Sequence, residues 1–268
     1  IGSNAVKYKI FNSENFELDE YYREPLRLGR DVFSENKLSE STISKLIDLL
    51  VRYSEIFKER NIEQTYFIAT SAVRDSENSD VLISKLEEKN IHLKILTGKQ
   101  EASLLVNFNK DIEDSAVIDI GGGSVEVCIN SKSNMHYESF QLGAVRLLNL
   151  NQNERYEAMS QFGAWLQEFS PIPTTFGLGG NLRAIMQAND HKGVINTEDL
   201  INLIDNYNRL DEDILIQEFD IPKDRIDIVP IAAEIYLFFL SKIGAKTIEN
   251  SFSSISDGLV RKVVTGEL

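Results

Sequence analysis

Hydrophobic and polar positions change their period several times along the chain, and each change marks an element. Residues 5–11 alternate, with Val6, Tyr8 and Ile10 on one side and Lys7 and Lys9 on the other, which predicts a strand. A second strand is expected over 16–22, followed by the loop Arg27-Leu-Gly-Arg30. Ser39 is placed to cap a long helix over 40–58, where Ile43, Leu46, Ile47, Leu50 and Val51 fall at helical spacing. Short apolar runs at 66–70 and 91–96 predict strands, with a helix at 80–89 between them and another at 100–109 after them.

At Ser115 the rhythm restarts. A buried strand at 116–120, a tight Gly121-Gly-Gly123 turn and a second strand at 125–129 are expected, then a strand near 137–141. A helix at 154–168, a strand at 174–178 and a helix at 181–187 follow. Residues 197–242 read largely as helix, with a short strand before Ser251 and a closing helix from Gly258. Alternation of this kind predicts α/β architecture with mixed sheets. Setting Ile1 against Ile120 pairs Ile-Gly-Ser-Asn-Ala-Val-Lys-Tyr with Ile-Gly-Gly-Gly-Ser-Val-Glu-Val, a strand–turn–strand unit occurring twice. That repeat predicts two similar lobes with a cleft between them.

Charge and composition narrow the function. The 268 residues carry 28 basic and 42 acidic side chains, a net charge of −14, which argues against a nucleic-acid binder. The single cysteine, Cys128, excludes a disulfide scaffold and a Cys-based zinc site, and a free thiol in an apolar strand suits a reducing cytoplasm. The longest apolar stretch, 228–240, has 13 residues and contains Pro230 and Glu234, short of the roughly 20 that span a membrane. No signal peptide is visible, and with no initiator Met an upstream segment is expected to be missing. His92, His136 and His191 have no metal-ligand spacing. Trp165 and the 235–240 run read as core, a homodimer contact being the alternative for the latter.

The turns carry the candidate chemistry. Gly121-Gly-Gly-Ser124 follows a strand ending in Asp119-Ile120, and glycine N–H groups in such turns cradle anions. A carboxylate where an apolar strand meets the turn suits a metal or a hydroxyl, and Glu126 lies on the face of Ser124 by the pleat's period of two. Phe176-Gly-Leu-Gly-Gly180 sets glycine N–H groups at a helix N-terminus. Neither turn has the Rossmann or Walker spacing. Ile255-Ser-Asp-Gly258 opens the last helix, and capping alone would explain it.

Six segments taken in order give a resemblance: Gly2-Ser-Asn4, Ala69-Thr-Ser-Ala-Val-Arg74, Gly98-Lys-Gln-Glu-Ala102, Val117-Ile-Asp-Ile-Gly-Gly-Gly-Ser124, Gly177-Leu-Gly-Gly180 and Ser256-Asp-Gly258. With Gln141-Leu-Gly-Ala-Val-Arg-Leu147 and the Arg27–Arg30 segment, they resemble the exopolyphosphatase / guanosine pentaphosphate phosphohydrolase (Ppx/GppA) family, in its short two-lobe form. The resemblance implies α/β actin-like (ribonuclease H-like) lobes, drawn here as 1–113 with 256–268, and 114–255. It implies Glu101 as the base that activates water, Arg74 as a phosphate-holding arginine, and Asp119 with Glu126 as the Mg²⁺ site. Gly2, Ser3 and Asn4, then Gly121, Gly122, Gly123 and Ser124, then Gly179 and Gly180 would bind phosphate, aided by Arg27 and Arg30.

The chain departs from the family's usual pattern in three places. Ala5 replaces a hydroxyl residue, Asn181 a threonine, and Lys99-Gln100 stand where acids are common. The implied function is Mg²⁺-dependent release of terminal phosphate from inorganic polyphosphate or guanosine pentaphosphate. A non-catalytic sensor of those polyanions and an actin-like ATP-dependent kinase are the other readings. With so acidic a chain, affinity should rest on Mg²⁺ and on Arg27, Arg30, Arg74, Arg146 and Arg183 beside the motifs, not on long-range attraction.

Overall fold

The computed structural model describes residues 1–189, 193–251 and 254–264, the side chain of Val264 excepted. Its contacts divide the chain into two units, 1–97 and 98–268. His191 and the last four residues of the closing segment lie outside the described residues.

The first unit opens with an antiparallel pair, β1 (Val6–Phe11) and β2 (Leu18–Glu24). A parallel pair, β3 (Phe67–Ala69) and β4 (Leu93–Ile95), follows. Ile1 lies alongside β3, its N donating to Ile68 O at 2.6 Å and its O accepting from Thr70 N at 3.1 Å, the pattern of a parallel ladder. The helix Glu40–Glu59 covers the core with Ile43, Leu46, Leu49, Leu50 and Tyr53, a stripe at helical spacing. Its N-cap is Ser39, whose side chain accepts from Thr42 N at 3.2 Å.

The 27–30 segment, expected as a loop, instead starts the helix Leu28–Glu35. Leu28 and Val32 are one turn apart and both buried, so the core-facing stripe is only two residues long and leaves little periodic signal.

The second unit is built on a six-stranded sheet. β5 (Ser115–Ile120), β6 (Val125–Ser131) and β7 (Asn134–Phe140) form an antiparallel meander. β8 (Thr174–Leu178) lies parallel to β5. The sheet also contains β9 (Val194–Asn196), which the sequence did not suggest, and β10 (Thr247–Asn250). The order is β7-β6-β5-β8-β10-β9, with β9 antiparallel to β10. Every residue of β5 and β6 is buried, so these central strands read as continuous apolar runs broken only by Asp119 and Glu126 among the acids.

One face of this sheet carries Val117, Cys128, Tyr137, Phe176 and Leu178, packed against Leu105, Phe108 and Ile255. On the other face Phe140 meets Phe162 and Trp165 of the helix Ser160–Gln167, and Phe162 stacks on Phe239 of the helix Val229–Ile243. The latter is the 235–240 run, buried within the unit at Ile235, Tyr236, Phe238, Phe239 and Leu240. Two helices expected to be continuous are broken, into Gly98–Ser103 and Val106–Asn109, and into Gln152–Ala158 and Ser160–Gln167. The expected 197–242 helix is Thr197–Arg209, Glu212–Glu218 and Val229–Ile243, with a 3₁₀ turn at Lys223–Arg225. The last helix, Ile255–Val264, begins three residues before Gly258 and packs against the 98–109 segment, where Lys262 Nζ donates to Ser103 Oγ at 3.0 Å.

The strand–turn–strand repeat is visible in the main chain of both units. Gly2 N donates to Ala5 O at 3.0 Å, and Gly121 N donates to Ser124 O at 2.9 Å. Each turn is also met by a Leu-Gly pair of its own unit. Gly29 N donates to Ser3 O at 2.7 Å, while Ala144 and Val145, next to Gly143, donate to Gly121 O and Gly122 O at 3.0 and 2.8 Å.

Candidate active site

The carboxyl end of β5 is where the second unit gathers its acids. Asp119 pairs with Glu126 across β5–β6, and Glu126 pairs with Ser139 across β6–β7. Residues directly opposite on neighbouring strands share a face. The row Asp119–Glu126–Ser139 therefore continues the apolar row Val117–Cys128–Tyr137 one pleat towards the turn. Open α/β sheets receive ligands outside the carboxyl ends of their parallel strands, and this row lies at that end of β5. The helix Gly98–Ser103 packs on β6 and β7, bringing in Glu101, which is 3 % exposed.

Three carboxyl groups thus share a largely dry site: Asp119, Glu126 and Glu101 are all buried. Burial pushes Glu126 well above its ordinary value of 4.5, and the charges of Glu101 and Asp119 push it further. Hydrogen bonds from Ser124 and Ser139 act in the opposite direction, the second from Ser139 Oγ to Glu126 Oε1 at 2.8 Å. Tyr236, fully buried, is likewise raised, chiefly by burial and then by the Asp119 charge, and its hydroxyl points at Leu178 O.

Two glycine turns border the acids. Gly121–Ser124 closes the β5–β6 hairpin, and Arg146 Nε donates to Gly123 O at 2.7 Å, so this arginine braces the turn. Gly143 lies so near that a Cβ there would stand 2.2 Å from Gly123 N. The second turn leads from β8 into the helix Gly179–Ala188. Gly179 has φ +88, and a Cβ on it would stand 2.3 Å from Asp119 Oδ1, so the left-handed backbone and the carboxylate both call for glycine.

Residues of the first unit that sequence reasoning singled out form their own group. Ser3 and Ser71 share a hydrogen bond of 2.9 Å between hydroxyls, both side chains being buried. Gly2, Ser3 and Asn4 form the first hairpin turn, and Asn4 O accepts from Arg27 N at 3.1 Å. Arg27 has φ 52 and caps its helix, while Arg30 is exposed. Arg74 ends the short helix Ser71–Arg74, donates to Leu96 O at 2.9 Å and contacts Asp75 at 3.3 Å.

Sequence reasoning missed Ser139, Arg225 and Tyr236. Ser139 could have been found from the Glu126 register, had the β6–β7 turn been located. Arg225 and Tyr236 come from the 3₁₀ turn and helix after 222, and no local pattern ties them to a glycine turn.

Among the described residues no group of three or more His, Cys, Asp or Glu side chains is arranged to hold a metal ion. Mg²⁺ seldom needs one, since it keeps several waters and takes one or two carboxylates plus phosphate oxygens. The buried, mutually repelling Asp119 and Glu126 are a donor pair of that kind. No described helix is long and apolar enough to cross a membrane.

The profile of the Ppx/GppA phosphatase family matches residues 21–263. The chain belongs to the Ppx/GppA phosphatase family. The bifunctional 3-dehydroquinate synthase/phosphatase of Fusobacterium nucleatum is 32% identical over 164 residues, 55% of this chain and 25% of that protein. The guanosine-5'-triphosphate,3'-diphosphate pyrophosphatase of Photobacterium profundum is 27% identical over 145 residues, 52% of this chain and 29% of that protein. Exopolyphosphatase 2 of Mycobacterium tuberculosis is 28% identical over 163 residues, 54% of this chain and 51% of that protein. The chain thus spans about a quarter to a half of these relatives' lengths.

Two solved structures extend the likeness to the whole fold. An exopolyphosphatase from Cytophaga hutchinsonii superposes with a TM-score of 0.84 at 20% identity, covering 99% of this chain and 96% of that one. An Aquifex aeolicus Ppx/GppA family member gives 0.76 at 21% identity, covering 100% and 97%. The α/β, actin-like fold class with mixed sheets is therefore that of the family.

Proposed function

We propose that this chain is a phosphohydrolase that releases terminal phosphate from inorganic polyphosphate or guanosine pentaphosphate, within a reducing cytoplasm. The observation that carries the reading is the buried set Asp119, Glu126 and Glu101, bordered by two glycine turns at one end of the β5–β6–β8 sheet. The names of the relatives from Mycobacterium tuberculosis and Photobacterium profundum support the two substrate classes.

Glu101 takes a proton from water, whose oxygen attacks the terminal phosphorus in line while the bridging P–O bond breaks and the shortened polyanion leaves with that oxygen and its electron pair. The burial of Glu101 keeps bulk water from competing for that carboxylate. The N–H groups of Gly122, Gly123 and Ser124 and of Gly179–Gly180 receive phosphate oxygens, while Gly121, its N–H donated to Ser124 O, closes the turn that presents them. Gly2, Ser3 and Asn4 form the corresponding turn of the first unit, and Arg74, with Arg27 and Arg30, holds phosphate charge there. Asp119, with Glu126 through water, would hold Mg²⁺, which when bound neutralises non-bridging phosphate oxygens. Phosphoryl transfer asks mainly for positioning and charge neutralisation, and this set of groups supplies both.

The lobes are proposed as 1–113 with 256–268, and 114–255. Contact of Gly258 with Leu104, together with the Lys262–Ser103 bond, supports keeping 98–113 and 256–264 in one piece. Phosphate release from polyphosphates of graded length and from guanosine pentaphosphate, with Mg²⁺ and with chelator, tests the function. Release that needs Mg²⁺ is expected. Binding without release would instead make the chain a sensor.

A further inference from the structure

Phosphate can be received by the Gly179–Gly180 turn only if that turn keeps a fixed distance from Asp119, and none of the family-like motifs supplies the brace. Arg225 does. It sits on the 3₁₀ turn Lys223–Arg225, 44 residues beyond Asn181, and is only 9 % exposed. Its Nη1 donates to Asn181 Oδ1 at 2.5 Å. Asn181 Nδ2 in turn donates to Ile120 O at 2.8 Å. Asn181 is 4 % exposed, so neither bond competes with bulk water.

The two glycines of the turn are flanked by opposite charges. A Cβ on Gly180 would stand 2.3 Å from Arg225 Nη2, just as one on Gly179 would meet Asp119 Oδ1. The main chain at this turn therefore lies against a carboxylate at one residue and a guanidinium at the next. Asn181 suits the relay because a carboxamide accepts with one end and donates with the other. The planar guanidinium suits it because one nitrogen can bond Asn181 while another packs on Gly180, which a lysine ammonium cannot reproduce.

Resting on the phosphohydrolase reading, we infer that Arg225 is a positioning residue. Through Asn181 it fixes the second glycine turn to the end of β5, and its charge favours an anion at that turn. Ile120 lies between Asp119 and Gly121, so the same two bonds set the spacing of both glycine turns and of the candidate metal ligand.

Arg225→Lys keeps the charge and loses the fork. Asn181→Asp keeps an acceptor for Arg225 and loses the donor to Ile120. Each should raise KM for tripolyphosphate, and its Kd measured by calorimetry with Mg²⁺, about tenfold or more, with the pH profile of kcat unmoved. Arg155→Lys, which loses a partly buried fork to Glu234 on the helix Val229–Ile243, is the control for stability alone and should leave KM unchanged. If Arg225→Lys does not fold, Asn181→Asp decides by the same readouts. Wild-type KM and Kd in both variants overturn the inference and leave the function standing, as does a KM rise that Arg155→Lys matches. A wild-type protein that neither binds tripolyphosphate nor releases phosphate overturns the proposed function, and the inference with it.

Discussion

Asp119 and Glu126 stand directly opposite each other on antiparallel strands, both buried. Like charges so placed repel, and the dry surroundings strengthen the repulsion. The folded protein therefore holds a proton on Glu126 that the unfolded chain releases at lower pH. Glu101 and Asp119 are the charged groups facing it, and Ser124 and Ser139 are its hydrogen-bond partners. For an acid raised by folding, the stabilising contribution is whole below 4.5 and is lost as pH rises through the raised value. Urea midpoints of metal-free protein should accordingly decrease as pH is raised above 4.5. Glu126→Gln should flatten that slope; an unchanged slope in the variant would show that Glu126 does not carry it.

Glu101→Gln removes the proposed base while keeping shape and burial. Turnover should fall at least about 100-fold, with little change in the binding of tripolyphosphate. Initial rates of phosphate release across pH settle it, and near-wild-type turnover would move the base elsewhere.

Gly143→Ala forces a methyl to 2.2 Å from Gly123 N, against main chain that is itself hydrogen-bonded. A loss of about 2 kcal/mol is expected in chemical denaturation, with phosphate release lost as the Gly121–Ser124 turn shifts. Gly193→Ala meets nothing within 4 Å and is the matched control, expected to stay within about 0.5 kcal/mol.

Arg155 and Glu234 form a fork of two bonds, 2.7 and 2.8 Å, tying the helix Gln152–Ala158 to the helix Val229–Ile243. Both side chains are about 15 % exposed, so removing one partner leaves a poorly solvated charge. Glu234→Ala should cost about 3 kcal/mol, and a double-mutant cycle with Arg155→Ala should show that most of it is coupling.

Much of this was legible in sequence for identifiable reasons. The long helix was announced by Ser39 and by its stripe Ile43–Leu46–Leu50, and β5 by its apolar run Ala116-Val-Ile118. The turns announced themselves by their clustered glycines, a composition that ordinary strand or helix interiors avoid. The helix Leu28–Glu35 stayed hidden, since Gly29 sits inside its first turn and only Leu28, Gly29 and Val32 are buried. The broken helices at 98–109 and 152–167 stayed hidden too, because apolar spacing runs on across a break that only packing imposes. The Asp119–Glu126 opposition needed the hairpin register, and the Arg225–Asn181 relay needed the tertiary fold.

The twin hairpin turns, closed by Gly2 N to Ala5 O and by Gly121 N to Ser124 O, have a bearing on how such a protein can change. The bond that closes each turn runs from main chain to main chain, so it does not depend on which side chains the following strand displays. In the aligned repeats, the position that is Glu126 in one copy is Lys7 in the other, the acid buried and the base exposed. One hairpin shape thus carries opposite electrical characters in its two copies, a buried acid in one and an exposed base in the other, with the same main-chain closure.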